Sequence, residues 1–201
     1  MEAKTRKVLK IIIGVISIPI LVSAIFLIGI RSEFINYLEE KYPDLSFKVG
    51  FAKVDIIYSK YYASAACMND STSFCIAKGF GEKAVNEDYL ENKNRILYNL
   101  RIQSLFKGSD IEGYLISATG TGEKSMEACD EFMQVNIRLS NDAEHIAVVR
   151  KALSILAENK IIAEKVIFTY EKGNGVYELW VSPDEYNSTE NELEKKERRI
   201  K

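Results

Sequence analysis

Histidine and tryptophan each occur once in these 201 residues, and cysteine and proline three times each. The net charge is only −2, and a single long apolar run is present. With one histidine, His145, and a Cys67–Cys75 spacing that is not a zinc knuckle, no metal-ligand set is expected. No nucleophile-elbow sequence accompanies His145, so it reads as an exposed or capping histidine at the start of a helix rather than a catalytic base. The charges also exclude a partner class. Once the basic residues of the first ten positions are set aside, the rest of the chain is mildly acidic. It therefore lacks the basic face that phosphate contacts require, and nucleic acid is not expected as a partner.

Two further patterns imitate active sites. The segment Thr119-Gly120-Thr121-Gly122-Glu123-Lys124-Ser125 resembles a phosphate loop. Glu123, however, separates Gly122 from Lys124-Ser125 and sets a carboxylate where phosphate charge would lie, so a flexible connecting loop is expected instead. The acidic pairs Glu87-Asp88 and Asp184-Glu185 would suit carboxylate chemistry, but helix N-terminal charge and turn chemistry are much the commoner explanation for such pairs. No catalytic residue, cofactor site or metal site is assigned.

The apolar run is Ile11–Ile30, twenty residues without a charge. At about 1.5 Å per residue it matches the ~30 Å hydrocarbon core of a bilayer, and Pro19 and Gly14 are tolerated in such helices. A buried soluble helix seldom runs this long uncharged. A cleaved signal peptide would carry a shorter apolar region and a small-x-small cleavage site, which Phe26-Leu27-Ile28-Gly29-Ile30 does not supply. Lys4, Arg6, Lys7 and Lys10 precede the run, while acids prevail in Arg31–Leu45. The positive-inside rule then predicts a single-pass signal-anchor with residues 1–10 in the cytoplasm and residues 31–201 outside the cell membrane.

Beyond the anchor, helical spacing of Phe34, Ile35, Tyr37, Leu38 and Tyr42 predicts an amphipathic stalk over 31–43, stopped by Pro43. Alternation then shifts phase between Phe47/Val49/Phe51 and Val54/Ile56/Tyr58, which predicts a bulge near Ala52-Lys53 with Gly50 adjacent. Strands at Tyr61–Cys67 and Phe74–Ala77 flank a turn at 69–72. A helix capped by Asn86 follows to about Phe106, with Tyr89, Leu90, Ile96, Leu97 and Leu100 on one side. A short strand near Tyr114–Ala118 leads to the Gly/Thr loop. The second half reads as β-α-β-β. A half-buried antiparallel strand covers Cys129–Leu139, a helix starts at Asn141 or Asp142 and carries Ile146, Val149, Leu153 and Leu156, and a hairpin turns at Gly173-Asn174-Gly175.

The class is α+β: an N-terminal transmembrane helix and a mainly antiparallel sheet with helices packed on it, ordered β-β-β-α then β-α-β-β. The expected parts are a cytoplasmic tail (1–10), the anchor (11–30), the stalk (31–43), an N-terminal subdomain (44–107), a connecting strand and loop (108–128), a C-terminal subdomain (129–183) and a charged tail (184–201). The end of that tail, 187–201, is expected as a solvated, frayed helix, and Lys195-Lys196-Glu197-Arg198-Arg199 within it as either a solubilising run or a contact for anionic lipid or cell wall.

Cys67 and Cys75 are placed symmetrically about Ser71, so they form a disulfide if the register makes them neighbours and otherwise remain small, partly buried thiols. Cys129 is then unpaired. Tyr58, Tyr61 and Tyr62 are either an exposed contact surface for protein or glycan or ordinary sheet packing.

The run Tyr37-Leu38-Glu39-Glu40-Lys41-Tyr42-Pro43, then Phe47-Lys48-Val49 and Glu87-Asp88-Tyr89-Leu90, resembles the YfjL-like membrane-anchored proteins of Gram-positive bacteria. The resemblance covers residues 1 to about 100. It implies an N-terminal anchor, a helical stalk, a twisted hairpin and a helix opened by acid-Tyr-Leu. It implies no reaction and no functional residue. Two functions follow as expectations: a non-enzymatic envelope protein binding another envelope protein or a cell-wall component, or a membrane-tethered hydrolase using carboxylates and tyrosines.

Overall fold

The computed structural model describes residues 2–122 and 131–201, with side chains from Ile18 onward. The fold is α+β and divides into two compact units, Met1–Asn92 and Lys93–Lys201.

The first unit opens with one uninterrupted helix, α1 (Glu2–Lys41), which contains Pro19. Between Ile18 and Lys41 it is long and apolar enough to cross a membrane, and only 11% of its apolar window is buried. That exposure is unlike the core helix of a soluble domain. Farther along, Ile30, Phe34 and Leu38 recur at helical spacing and are buried, with Leu27, Ile35 and Tyr37 packed beside them.

This stripe lies on an antiparallel sheet of β1 (Phe47–Val49), β2 (Lys53–Asp55), β3 (Lys60–Cys67), β4 (Ser73–Gly79) and β5 (Val85–Glu87). Both β1 and β2 pair with β3. Phe47 faces Cys67 and Lys53 faces Tyr62, so one extra residue is accommodated around 50–52. Gly50 sits at this bulge, its N–H bonded to the Ser64 carbonyl at 2.9 Å, where an added Cβ would stand 3.1 Å from that oxygen. The phase shift in the sequence marks this bend.

In the second unit, β6 (Leu115–Thr121), β7 (Glu131–Leu139), β8 (Ile162–Lys172), β9 (Gly175–Val181) and β10 (Arg198–Arg199) form a sheet in the order β10-β9-β8-β7-β6. The helix α3 (His145–Glu158) connects β7 to β8, which run parallel; the other pairs are antiparallel. The half-buried strand expected as antiparallel is therefore paired both ways, antiparallel to β6 and parallel to β8, because a helical crossover returns the chain in the same direction. Val149, Leu153 and Leu156 of α3 are buried as their spacing predicts. The hairpin turn is Gly173-Asn174, with Gly173 at φ +60 as a tight two-residue turn requires.

Several expectations are corrected. The helix α2 (Tyr89–Phe106) starts after Glu87-Asp88, and Asn86 lies inside β5 instead of capping it. Tyr98, Ile102 and Phe106, spaced by four, are the buried positions of α2 in the second unit, whereas Leu90, Ile96 and Leu100 are exposed. The division between units falls inside α2 rather than after it. The C-terminal tail is folded. Thr189 and Glu192 make a capping box for α4 (Glu190–Glu194), Leu193 is fully buried, and β10 pairs with β9. Backbone bonds between Val176 and both Ile200 and Lys201 hold the chain end. Polar composition hid this, since one leucine and a row of backbone groups suffice to dock a short edge strand.

Candidate functional site

At the far end of α1, the first unit gathers a cluster of polar side chains. The side chain of Glu87, only 3% exposed, accepts hydrogen bonds from Lys41 Nζ at 2.7 Å, Tyr42 Oη at 2.9 Å and the Tyr89 N–H at 2.5 Å. Burial by itself would raise the Glu87 pKa, but these donors outweigh it and the carboxyl is held below its ordinary value. Tyr42 is pushed up to about 12, first by burial and then by its bond to Glu87. Tyr89 donates to Asp70 at 2.8 Å and contacts the Cys67 sulfur at 3.6 Å, and burial drives its pKa upward as well. The rings of Tyr42, Phe47, Phe74 and Tyr89 pack edge-on or tilted around the cluster. Chemically this is a clamp: every strong acceptor is engaged by a donor from another element, and the end of α1 is tied to β5 and the start of α2.

The structure does not make Cys67 and Cys75 neighbours. Ala66 pairs with Ser73 and Ser64 with Cys75, so the hairpin is centred between Asn69 and Asp70 instead of at Ser71. This offset puts the thiols on opposite faces, Cys67 buried and Cys75 exposed, and both are free. Cys129 lies outside the described residues, as do Glu123, Lys124 and Ser125 of the phosphate-loop-like segment. Thr119, Gly120 and Thr121 belong to β6 rather than to a loop, and the Gly120 N–H bonds Asn99 at 2.9 Å.

Of the three tyrosines, only Tyr58 is largely exposed. Tyr61 packs between Phe26 at 5.4 Å and Phe80 at 4.6 Å, while Tyr62, one residue on, points to the other face of the sheet. They do not form one surface. His145 stacks on Tyr170 at 4.4 Å and its ring nitrogen meets the Ser140 carbonyl at 3.2 Å, a packing role at the start of α3. Glu185 pairs with Lys196 and closes a capping box with Ser182; the lysine first, then the Ser182 donors, hold its carboxyl down to about 2.

The second unit presents a polar surface built by regular elements. While α2 and α3 cover one face of its sheet, Ser117, Asn136, Arg138, Thr169 and Glu171 line a shallow groove of about 260 Å³ on the other. Arg138 and Asn141 both reach Glu171, at 3.4 and 3.2 Å. On the adjoining strand, Trp180 is half exposed, donates to Glu178 at 2.8 Å and lies under the Lys165 ammonium. The alternation of β7 marked Asn136 and Arg138 as a polar face; only strand pairing brought Thr169 and Glu171 beside them. Among the described residues, no group of three or more His, Cys, Asp or Glu side chains is placed to hold a metal ion. No protein-family model matches the chain, and neither does any curated protein or any solved structure.

Proposed function

We propose that this chain is a single-pass membrane-anchored protein of the bacterial cell envelope, akin to the YfjL-like proteins. Its N-terminus is cytoplasmic, and its α+β part is an extracytoplasmic binding module rather than an enzyme. The observation that carries the binding reading is the open face of the second sheet. A sheet with both helices on one side leaves a polar groove with a guanidinium, a carboxylate, amides and a flanking tryptophan, a mixture suited to hydrogen-bonding and stacking against a polypeptide or glycan. The anchor reading is supported by the exposed apolar length of α1 and by its unbroken passage into the docked stalk, and the orientation by the basic residues before Ile11.

Two experiments test these statements separately. Protease added to intact protoplasts should digest the exported units; protection until lysis would reverse the orientation. A photo-crosslinking residue replacing Thr169 should trap the same envelope protein or wall fragment in repeated captures, and the capture should be lost with Arg138→Ala. Identical trapping from Ser154, on the exposed side of α3, would remove the groove as the contact surface.

A further inference from the structure

The β2–β3 hairpin carries an apolar rim that the first unit leaves uncovered. Ile56 is 81% exposed, Ile57 88% and Tyr58 73%, with Val54 and Phe80 also exposed. Phe80 joins the rim through its N–H bond to the Ser59 carbonyl at 2.8 Å. The turn is well formed: Asp55 accepts the Tyr58 N–H at 3.1 Å, and Ser59 takes a positive φ of 48. An ordered turn that points this many large apolar side chains at solvent marks a contact surface.

Contacts along α1 show which end of the unit the rim occupies. Phe26 meets Tyr61 near the start of β3, Arg31 Nε donates to the Val49 carbonyl at 3.0 Å, and Tyr42 packs on Phe47, which faces Cys67 at the end of β3. Strand β3 therefore runs with α1, away from the apolar run. The turn at Ile56–Ser59 precedes Tyr61 and extends roughly 7 Å back along the helix, at ~3.3 Å per residue.

Span length points the same way. The twenty residues Ile11–Ile30 only just match a ~30 Å hydrocarbon core. Yet Leu27 and Ile30 already pack into the core of the first unit. If the unit stood clear of the bilayer, the free run Ile11–Ile25 would cover only about 22 Å. Lys53 and Lys60 flank the turn, with Lys60 Nζ 5.3 Å from the Tyr58 ring. This basic and aromatic border suits the headgroup region, and Asp55, the acid nearest the turn, is engaged within it.

We propose that Ile56, Ile57, Tyr58 and Phe80 seat in the near leaflet of the bilayer that α1 spans, mooring the first unit at two points. This rests on the anchor reading above. The test uses the full chain in phosphatidylcholine–phosphatidylglycerol nanodiscs with and without brominated acyl chains. Trp180→Phe removes the native reporter, and Ile57→Trp, Val22→Trp or Met68→Trp, all at exposed positions, supplies a new one. Brominated lipid should quench the tryptophans at 57 and 22 and spare the one at 68, which lies at the opposite end of β3. Quenching at 22 without quenching at 57 overturns the mooring and leaves the anchor standing. No quenching at 22 overturns both. Quenching at 68 together with 57 would mean that the unit lies flat on the lipid, and overturns the end-on seating.

Discussion

Glu87 illustrates how one side chain can hold two distant pieces of chain together. It takes three donors while its side chain is almost wholly buried, so its loss leaves those donors without their acceptor. Glu87→Ala should cost about 1–3 kcal/mol in chemical denaturation. Lys41→Met should cost less, about 0–1 kcal/mol, because the Lys41 side chain is 42% exposed and the pair is screened on that side. The pH dependence has a definite sign. The folded carboxyl lies below its ordinary value of 4.5, so its contribution is present above that pH and fades as pH falls through the folded value. The stability difference between wild type and Glu87→Ala should shrink accordingly in acid. Tyr42 works in the opposite direction. Raised from 10.0 to about 12, it contributes fully below pH 10 and loses its contribution as pH rises toward 12. Tyrosinate absorbance should therefore show a late-titrating group that disappears in Tyr42→Phe.

Among the elements, the C-terminal α4–β10 segment differs most from what its composition suggests. Leu193 is its one buried residue, and the last strand exchanges backbone bonds with Val176. Leu193→Ala should destabilise the second unit by about 2–5 kcal/mol, the range for emptying a fully buried leucine site. In native-state hydrogen exchange, the amides of Val176 and Ile200 should be protected; exchange at random-coil rates would return the tail to a solvated, frayed state. On α2, apolar residues occur on more than one side, and only packing partners choose among them. Tyr98, with Phe132 at 4.9 Å, is selected over Leu100 because a sheet stands opposite it.

At the scale of the whole molecule, each unit has its own apolar core. One is built on α1 and the first sheet, the other on α2, α3 and the second sheet. Among the described residues of the apolar half of α1, Ile18, Ile20, Leu21, Val22 and Ile25 are exposed and belong to neither core, which leaves them available to lipid under the proposed topology. Introducing Ile18→Lys with Val22→Lys, near the middle and on one face of the run, should cost about 2.5–3.5 kcal/mol per charge at full depth. The variant should move from the membrane pellet to the soluble or carbonate-extractable fraction. Retention as an integral protein would show that this segment is not the anchor.

The uncharged run at Ile11–Ile30, the buried stripe Phe34–Leu38, the bulge beside Gly50 and the turn at Gly173-Asn174 could all be read from local order. Periodicity, charge and glycine placement act within a few residues and need no partner. The register of β3 on β4 could not be read this way. Symmetry about Ser71 suggested a Cys67–Cys75 bridge, but pairing centred between Asn69 and Asp70 put the thiols on opposite faces. Register is decided by which side chains find a buried face, and that depends on α1 lying across the sheet. The same holds for both proposed contact surfaces. The chain contains the residues of the groove and of the apolar rim, but only tertiary packing determined that helices would cover one face of the second sheet and that the β2–β3 turn would project toward the apolar length of α1.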